Sequence, residues 1–422
     1  MIRAAGAAAA ASLVGVAAHA AAPPAQVDVS RARGNQAEVT LAVDPRDSRI
    51  LLAGSNDLGH RPRTYASADG GKTWRSAPLP TTSCGGSDPA VGLDRSGRQY
   101  YAFLGYACDR PAAGLVVGTR ASAVAAWSFV TVPGSRPDKP ALAVDTNPAS
   151  PHVDRVYLAW SERLARDELV LAYSDDGGQT WQSPVEVAPL NATFSSIATA
   201  ANGSVYVAWV DFAAQRVLVR RSADGVTFGP PAVVGETWQT ERSRCNEGGR
   251  AIPADPVRCL TASPTAVVDG KGQLHVVYAA PAGDLVEVRD VAFAPDLSTQ
   301  VSRTVHPVGA MADRFLPTAT VDALTGALWV CYYDTSGDPR RRRATFTCTS
   351  SADGGVTWAA PRRAASTASD VSTSSVPRFG WGDYEGVAAL AGSAHPIWTD
   401  TRRMRSYGEE IYTTTLRLPL PQ

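Results

Sequence analysis

Short apolar runs of strand length punctuate the chain, and one three-part unit recurs along it. The unit is an apolar strand, a turn that usually carries an Asp, and a second strand rich in aromatic and β-branched residues. The first copy runs from Glu38 to Ala53, with Val43-Asp44 at its turn. The second runs from Asp88 to Phe103, with Asp94-Arg95-Ser96-Gly97 at the turn and Tyr100-Tyr101 beyond it. Lys139 to Trp160, Ser196 to Trp209, Ser263 to Tyr278, Leu316 to Tyr333 and the most divergent, Glu385 to Trp398, follow. In the Ser196 copy, Ala201-Asn202-Gly203 stands in for the Asp turn. The copies return every roughly 50 to 70 residues, somewhat longer than a typical propeller blade of about 40 to 50. A second strand pair follows each copy, as at Leu169 to Tyr173, Val217 to Arg221 and Ala344 to Thr349. Two hairpins per unit predict a four-stranded blade, and the chain reads as an all-β propeller. Seven copies favour seven blades.

Another repeat lies in the second strand pair. Ser67 to Trp74 reads Ser-Ala-Asp-Gly-Gly-Lys-Thr-Trp, Ser174 to Trp181 reads Ser-Asp-Asp-Gly-Gly-Gln-Thr-Trp, and Ser351 to Trp358 reads Ser-Ala-Asp-Gly-Gly-Val-Thr-Trp. A shortened copy, Ser222 to Phe228, keeps Ser222 and Asp224. The Ser and the Asp (Asp69, Asp176, Asp353) can accept hydrogen bonds from nearby backbone N–H groups and fold the turn on itself. Gly71, Gly178 and Gly355 permit positive φ at the hairpin tip. Thr73, Thr180 and Thr357, with Trp74, Trp181 and Trp358, begin the next strand. The pattern Ser-x-Asp-x-Gly-x-Thr-Trp resembles the Asp box, or bacterial neuraminidase repeat, of the sialidase-like β-propellers. That resemblance implies a propeller, with six blades (the usual number in sialidases) as the alternative to seven, and raises a glycoside-hydrolase reading. It also implies that the box is a structural turn at the blade periphery, away from the catalytic pocket.

At 422 residues the chain exceeds a typical single core. A radial repeat escapes that limit because each blade packs only on its neighbours. Lys+Arg and Asp+Glu are both 40, so net charge is zero, and nothing suggests a nucleic-acid partner or an anionic membrane. Residues 1–20 read as a cleavable signal peptide: Arg3, the apolar run Ala7 to Ala18, then the small-x-small site Ala18-His19-Ala20. No stretch is long and apolar enough to cross a bilayer as a helix, so no membrane insertion is expected. Residues 21–34 read as a flexible lead and 35–422 as one propeller domain; whether a strand just after the signal closes the ring stays open. The protein is expected to be secreted or periplasmic, and a monomer. Six cysteines fit export, though spacing alone does not fix their pairing. The simplest pairing joins neighbours: Cys84 with Cys108, Cys245 with Cys259, and Cys331 with Cys348. The longest insertion, Thr237 to Leu260, reads as a loop over one face, and the Ser/Thr-rich stretch Ala364 to Val376 as a mobile connection.

Residues entering the innermost strands of a propeller point toward the channel mouth. The position six before each turn residue holds Glu38, Asp88, Lys139, Ser196, Ser263, Leu316 and Glu385. Asp138, Asp383 and Tyr384 lie just before it in two copies, and Asp313 and Arg314 slightly upstream in another. Together they predict a ring of carboxylates, cations and a tyrosine around one opening, the convergent set expected of a functional pocket. The bland alternative is rim charges that are solvated or bonded between blades.

The last copy is the richest, with Arg378-Phe379-Gly380-Trp381-Gly382-Asp383-Tyr384-Glu385-Gly386 leading to Asp400-Thr401-Arg402. Sialidases use a tyrosine nucleophile. The resemblance therefore implies Tyr384 in that role, with Glu385 taking its proton and Asp383 and Asp88 as further catalytic carboxylates. Neighbours on an extended strand face opposite ways, so Tyr384 and Glu385 can cooperate only at an irregular turn. Tyr407 or Tyr412 with Glu409 or Glu410 is another candidate pair. Sialidases also clamp the substrate carboxylate with an arginine triad, whose first member lies in an Arg-Ile-Pro motif. That motif is absent here, and Arg61-Pro62-Arg63 occupies its region. Arg314, Arg378 and Arg402 are the candidate cationic cluster, with Glu38, Asp138 and Lys139 as further substrate-binding residues.

Three functions remain open at this point. The first is an exo-sialidase-type hydrolase acting on glycans, which needs no cofactor. The second is a non-catalytic propeller that binds glycan or protein. The third is a scaffold whose central ring holds a cation such as calcium through Glu38, Asp88, Asp138, Asp383 and Glu385, since hard cations prefer oxygen ligands.

Overall fold

The computed structural model describes residues 24–418, apart from 59–60, 82, 109–112, 135, 164–166, 239–244, 246–248 and 375–378. The expected signal peptide and Arg378 lie outside the described residues. The repeated units become seven blades, six of them four-stranded antiparallel meanders in sequence order. Their innermost strands are Gln36–Asp44, Gly85–Leu93, Pro137–Val144, Ala192–Thr199, Thr265–Val268 and Arg314–Val321. The seventh blade is built from both ends of the chain. Gly386–Leu390, Ser393–Asp400 and Glu410–Thr414 are joined by Gln26–Asp28, with Val27 opposite Thr413. Each innermost strand touches the next, and the seventh touches the first. The ring therefore closes at seven blades, not six, and closure protects the inner edges. Gln26–Asp28 lies in the stretch read above as a flexible lead; it is instead the outer strand that locks the ring shut.

Middle strands are covered on both faces by neighbouring blades, which is why they read as continuous apolar runs. Every residue of Val156–Glu162 is buried. Tyr100, Tyr101, Phe103, Trp160, Trp329 and Trp398 are fully buried between blades, so these aromatics are core and not an exposed binding platform.

The repeated turns fold as their residues dictate. In the first, Ser67 Oγ donates to Asp69 Oδ1 at 2.9 Å and accepts from Gly71 N at 2.9 Å, while Thr73 Oγ1 donates to Asp69 Oδ2 at 2.6 Å. The same contacts recur at Ser174, Asp176 and Thr180, and at Ser351, Asp353 and Thr357. Ser222 and Asp224 keep the Ser–Asp bond at 2.8 Å in the shortened copy. Each turn rests on the blade before it. A Cβ added at Gly178 would meet Thr119 and Tyr100, at Gly225 it would meet Tyr157, and at Gly355 it would meet Asp290 and His275. At Gly71 the ring across the seam is His395. The turns are thus inter-blade staples.

The three neighbour pairings of cysteine form the three disulfides. Cys331 and Cys348 stand directly opposite one another in a strand pair. The insertion is more than a loop: it contains a hairpin, Arg250–Ile252 with Asp255–Leu260, held by Cys245–Cys259. The stretch Ala364 to Val376 is not a loose connection where it is described. Ala364, Ala365 and Val371 are buried in a core cluster with Phe346 and Trp381, and Asp370 caps a turn of 3-10 helix at Val371–Thr373. Its small apolar residues, hidden among Ser and Thr, decide its packing.

Candidate functional site

Five innermost strands carry a bulge near their start. Register shifts fall between Ala37 and Thr40, Ser87 and Ala90, Asp138 and Ala141, Thr193 and Ser196, and Phe315 and Thr318. One residue in each takes a left-handed backbone: Glu38 (φ 56°), Asp88 (55°), Lys139 (47°), Phe194 (53°) and Leu316 (48°). Such bulges re-aim side chains, and here they turn several toward the axis. The six-before-the-turn spacing finds this position in four of the five and misses it in blade four. The hairpin there closes at Ala200, whose N–H donates to Ser204 O at 2.9 Å, so the bulged residue is Phe194 and not Ser196. Ser196 serves instead as a blade-to-blade acceptor for Ala266 N at 2.9 Å.

At the axis the re-aimed residues form a buried ionic plug. Lys139 Nζ pairs with Asp383 Oδ2, and Arg258 bridges Asp383 (Nε to Oδ1, 2.9 Å) and Glu38 (Nη2 to Oε1, 2.7 Å). Asn56 Nδ2 donates to the other Glu38 oxygen, and Asn56 Oδ1 accepts from Asp88 N at 2.8 Å. Burial opposes charge on Asp383, but Arg258 and Lys139 outweigh it and hold its carboxyl well below the usual range. Burial, then the neighbouring Asp383, pushes Glu38 well above that range. Arg258, which organises the plug, was missed by the sequence reading. It sits on the inserted hairpin beside Cys259, and Asp255 Oδ1 accepts from its backbone N–H at 3.1 Å. A disulfide inside the longest insertion was the available signal that this segment has a fixed place.

The plug separates two cavities, and Lys139 lines both. The upper, about 420 Å³, is lined by Asp57, Ser87, Asp88, Tyr106, Asp138 and Arg163 among others. The lower, about 210 Å³, runs down the channel past Phe194, Ser195, Tyr384 and Glu385. Tyr384 and Glu385 do not act on each other. The Tyr384 hydroxyl points to Pro89 O at 3.4 Å, whereas Glu385 accepts from Tyr333 OH at 2.6 Å and from Thr399 N at 3.1 Å. Opposite faces of an extended segment explain the split. Burial lifts the Tyr384 phenol well above its ordinary value, and Asp88, Glu38 and Asp383 add to the effect. Burial pushes Glu385 up to about 8. The alternative pairs fare no better. Tyr412 stacks under Arg402 and Tyr407 under Arg403, and no phenol–carboxylate hydrogen bond joins either to Glu409 or Glu410 among the described residues.

The candidate arginines are engaged elsewhere. Arg314 Nε pairs with Asp334 at 3.0 Å and Arg402 Nη2 with Asp400 at 2.7 Å, and neither lines either of the two cavities at the plug. The carboxylates of the calcium reading are likewise divided. Glu38 and Asp383 face Arg258, Asp138 faces Arg163 at 2.6 Å, and Glu385 faces Tyr333 and Thr399. Among the described residues no group of three or more His, Cys, Asp or Glu is placed to hold a metal ion.

No protein-family model matches the chain, and no curated protein does. Solved structures do. A protein of unknown function from Dyadobacter fermentans superposes with a TM-score of 0.50 at 17% identity, over 73% of this chain and 93% of that one. YCF48 bound to D1 peptide gives 0.50 at 13%, over 95% and 97%. A mutant of the NanB sialidase from Streptococcus pneumoniae gives 0.52 at 12%, over 76% and 69%. At these identities the likeness is one of fold.

Proposed function

We propose that this protein is a non-catalytic glycan-binding propeller whose ligand occupies the upper cavity. The observation that carries the reading is the plug. It closes the channel just below the cavity and spends the residues a hydrolase would need free, since Asp383, Glu38 and Lys139 are locked to one another through Arg258. What lies above is a concave polar bowl of about 420 Å³, with hydroxyls at Ser87 and Tyr106 and charges of both signs at Asp138 and Arg163. That is the mixed donor and acceptor lining a polyhydroxyl ligand requires. The signal peptide expected at residues 1–20 would bring the protein to a ligand met outside the cell.

A second reading, an exo-sialidase-type hydrolase, draws on the 2.6 Å contact between Tyr333 OH and Glu385, a phenol and a carboxylate within proton-transfer reach. Against it, Tyr333 is fully buried among Phe315, Phe346 and Trp381. Both readings are tested by offering the mature protein a glycan array and a fluorogenic sialoside side by side. Retention on glycans without turnover supports the binding propeller. Turnover that Tyr333→Phe abolishes would replace it with the hydrolase.

A further inference from the structure

Blade six presents a group of arginines on the face where the innermost strands begin. The loop 335–344 joins Leu328–Asp334 to Thr345–Ser351 there and contains Arg340 to Arg343. The Asp338 carboxylate accepts from the backbone N–H groups of Arg340 at 3.0 Å, Arg342 at 3.0 Å and Arg343 at 2.9 Å, which folds the loop on itself. Arg341 turns inward to Asp313 at 3.3 Å. Arg340, Arg342 and Arg343 are exposed, and among the described residues none of the three joins an ion pair. A fourth exposed arginine reaches the loop from the outer strand of the same blade: Arg363 Nη2 would lie 3.6 Å from a Cβ added at Gly337. Set against Asp338, these four guanidinium groups leave three positive charges in excess. The surrounding charges cancel within themselves. Arg314 pairs with Asp334, and at the neighbouring blade Arg250, whose Nη1 donates to Gly283 O at 3.1 Å, and Asp284 contribute one charge of each sign.

Apolar surface adjoins the arginines. Asp313 is tied to the same loop through Thr335, whose N–H donates to Asp313 O at 3.1 Å and whose Oγ1 accepts from Asp313 N at 2.8 Å. Just before Asp313, Val308 is 78% and Met311 77% exposed; of the described large apolar side chains only Val124 is more so. Arginine beside exposed methionine is a composition enriched at protein interfaces. We propose that these two joined loops are a docking surface for an acidic segment of another protein, one that carries apolar side chains among its carboxylates. The surface is independent of the cavity's ligand. Charge complementarity sets the sign of the partner, and guanidinium forks match carboxylates in shape. Val308 and Met311 call for apolar groups, which an acidic polysaccharide does not bring. A bilayer fits less well, since membrane-surface elements bury Trp, Phe or Leu and neither loop contains one. Because Asp338 and Asp313 already fix the arginine loop, less ordering is required when the partner binds.

The test is fluorescence anisotropy of the mature protein with two labelled probes, a peptide of repeating Glu-Glu-Leu and an oligoglutamate of the same net charge. The Leu-containing peptide is expected to bind about tenfold more tightly, the scale of partly burying two apolar side chains, and both affinities should fall as salt rises. Joint replacement Arg340→Ser, Arg342→Ser and Arg343→Ser should weaken both probes by at least about tenfold. Arg363→Ser, on a separate strand, should weaken both to a smaller degree. Val308→Ser with Met311→Ser should bring the Leu-containing peptide down to the oligoglutamate and leave the latter unchanged. All these side chains are exposed, and Asp338, Arg341 and Asp313 stay in place, so the variants should melt with the wild type. No binding at low salt, equal affinity for the two probes, or binding that survives the arginine replacements overturns the docking surface. Tighter binding to phosphatidylserine vesicles than to the peptide overturns it too, and would make the patch a membrane contact.

Discussion

Replacing Glu385 by Gln should flatten the pH dependence of this protein's stability. Glu385 is buried in the channel wall, and burial raises its carboxyl from an ordinary 4.5 to about 8. The folded state therefore holds a proton there that the unfolded chain releases. The sign follows: the favourable term is fully present below pH 4.5, and it is lost as pH rises through about 8. At 1.36 kcal/mol for each unit, the loss is on the order of 4 kcal/mol between mild acid and pH 9. Gln cannot ionise, yet it keeps an oxygen to accept from Tyr333 OH. The assay is thermal unfolding of wild type and Glu385→Gln at pH 5.5 and pH 9. Wild type should lose several degrees more than the variant across that interval, at roughly 1 to 2 °C per kcal/mol for a chain of this size. Absolute stability is not the readout, because the amide NH2 faces Thr399 N–H, which the carboxylate now accepts at 3.1 Å. Parallel pH curves for the two proteins would sink the argument, and would mean that Glu385 ionises freely in the folded state.

His275 adds to the same slope. Burial disfavours its charge, but Asp269 and Asp290 outweigh this and raise it to about 9, so its stabilisation is present below pH 6.5 and fades as pH rises through 9. Asp290→Asn should destabilise the protein by about 2 kcal/mol at pH 6 and by much less at pH 10, read from denaturant midpoints. Arg258→Met strands Glu38 and Asp383 as buried carboxylates without their bridge, and a loss of about 3 to 5 kcal/mol is expected in urea unfolding; a change below 1 kcal/mol would show that the plug relaxes into solvent. Gly355→Ala puts a Cβ 2.5 Å from Asp290 Oδ2 at φ 77°, whereas at Gly354, with φ 75°, the nearest atom is 3.4 Å away. Both should destabilise, and Gly355→Ala by about 1 to 3 kcal/mol more; equal melting temperatures would remove the staple role assigned to that turn.

The lettering of the chain by itself determined the blades. Seven apolar units spaced by turns leave few ways to bury strands other than a ring, and the four Ser–Asp turns fold locally because their donors and acceptors lie within four residues of one another. Neighbouring cysteines were likewise legible, since two strands of one hairpin bring Cys331 and Cys348 face to face. The ring position of Glu38, Asp88 and Lys139 was visible as a spacing, though not the bulges that aim them.

Only the tertiary structure decided what those residues do. Arg258 lies 220 residues from Glu38 and reaches it because a disulfide-held hairpin folds back over the axis; no local pattern encodes that return. Tyr384 and Glu385 are adjacent in the chain and apart in space, whereas Glu385 and Tyr333 are separated by 52 residues and joined at 2.6 Å. The closing strand Gln26–Asp28 pairs with Glu410–Thr414 at the far end of the sequence. Short-range hydrogen bonding and periodicity set the repeating element. Partnership among buried charges depends on which blades face one another, and that exists only once the ring has closed.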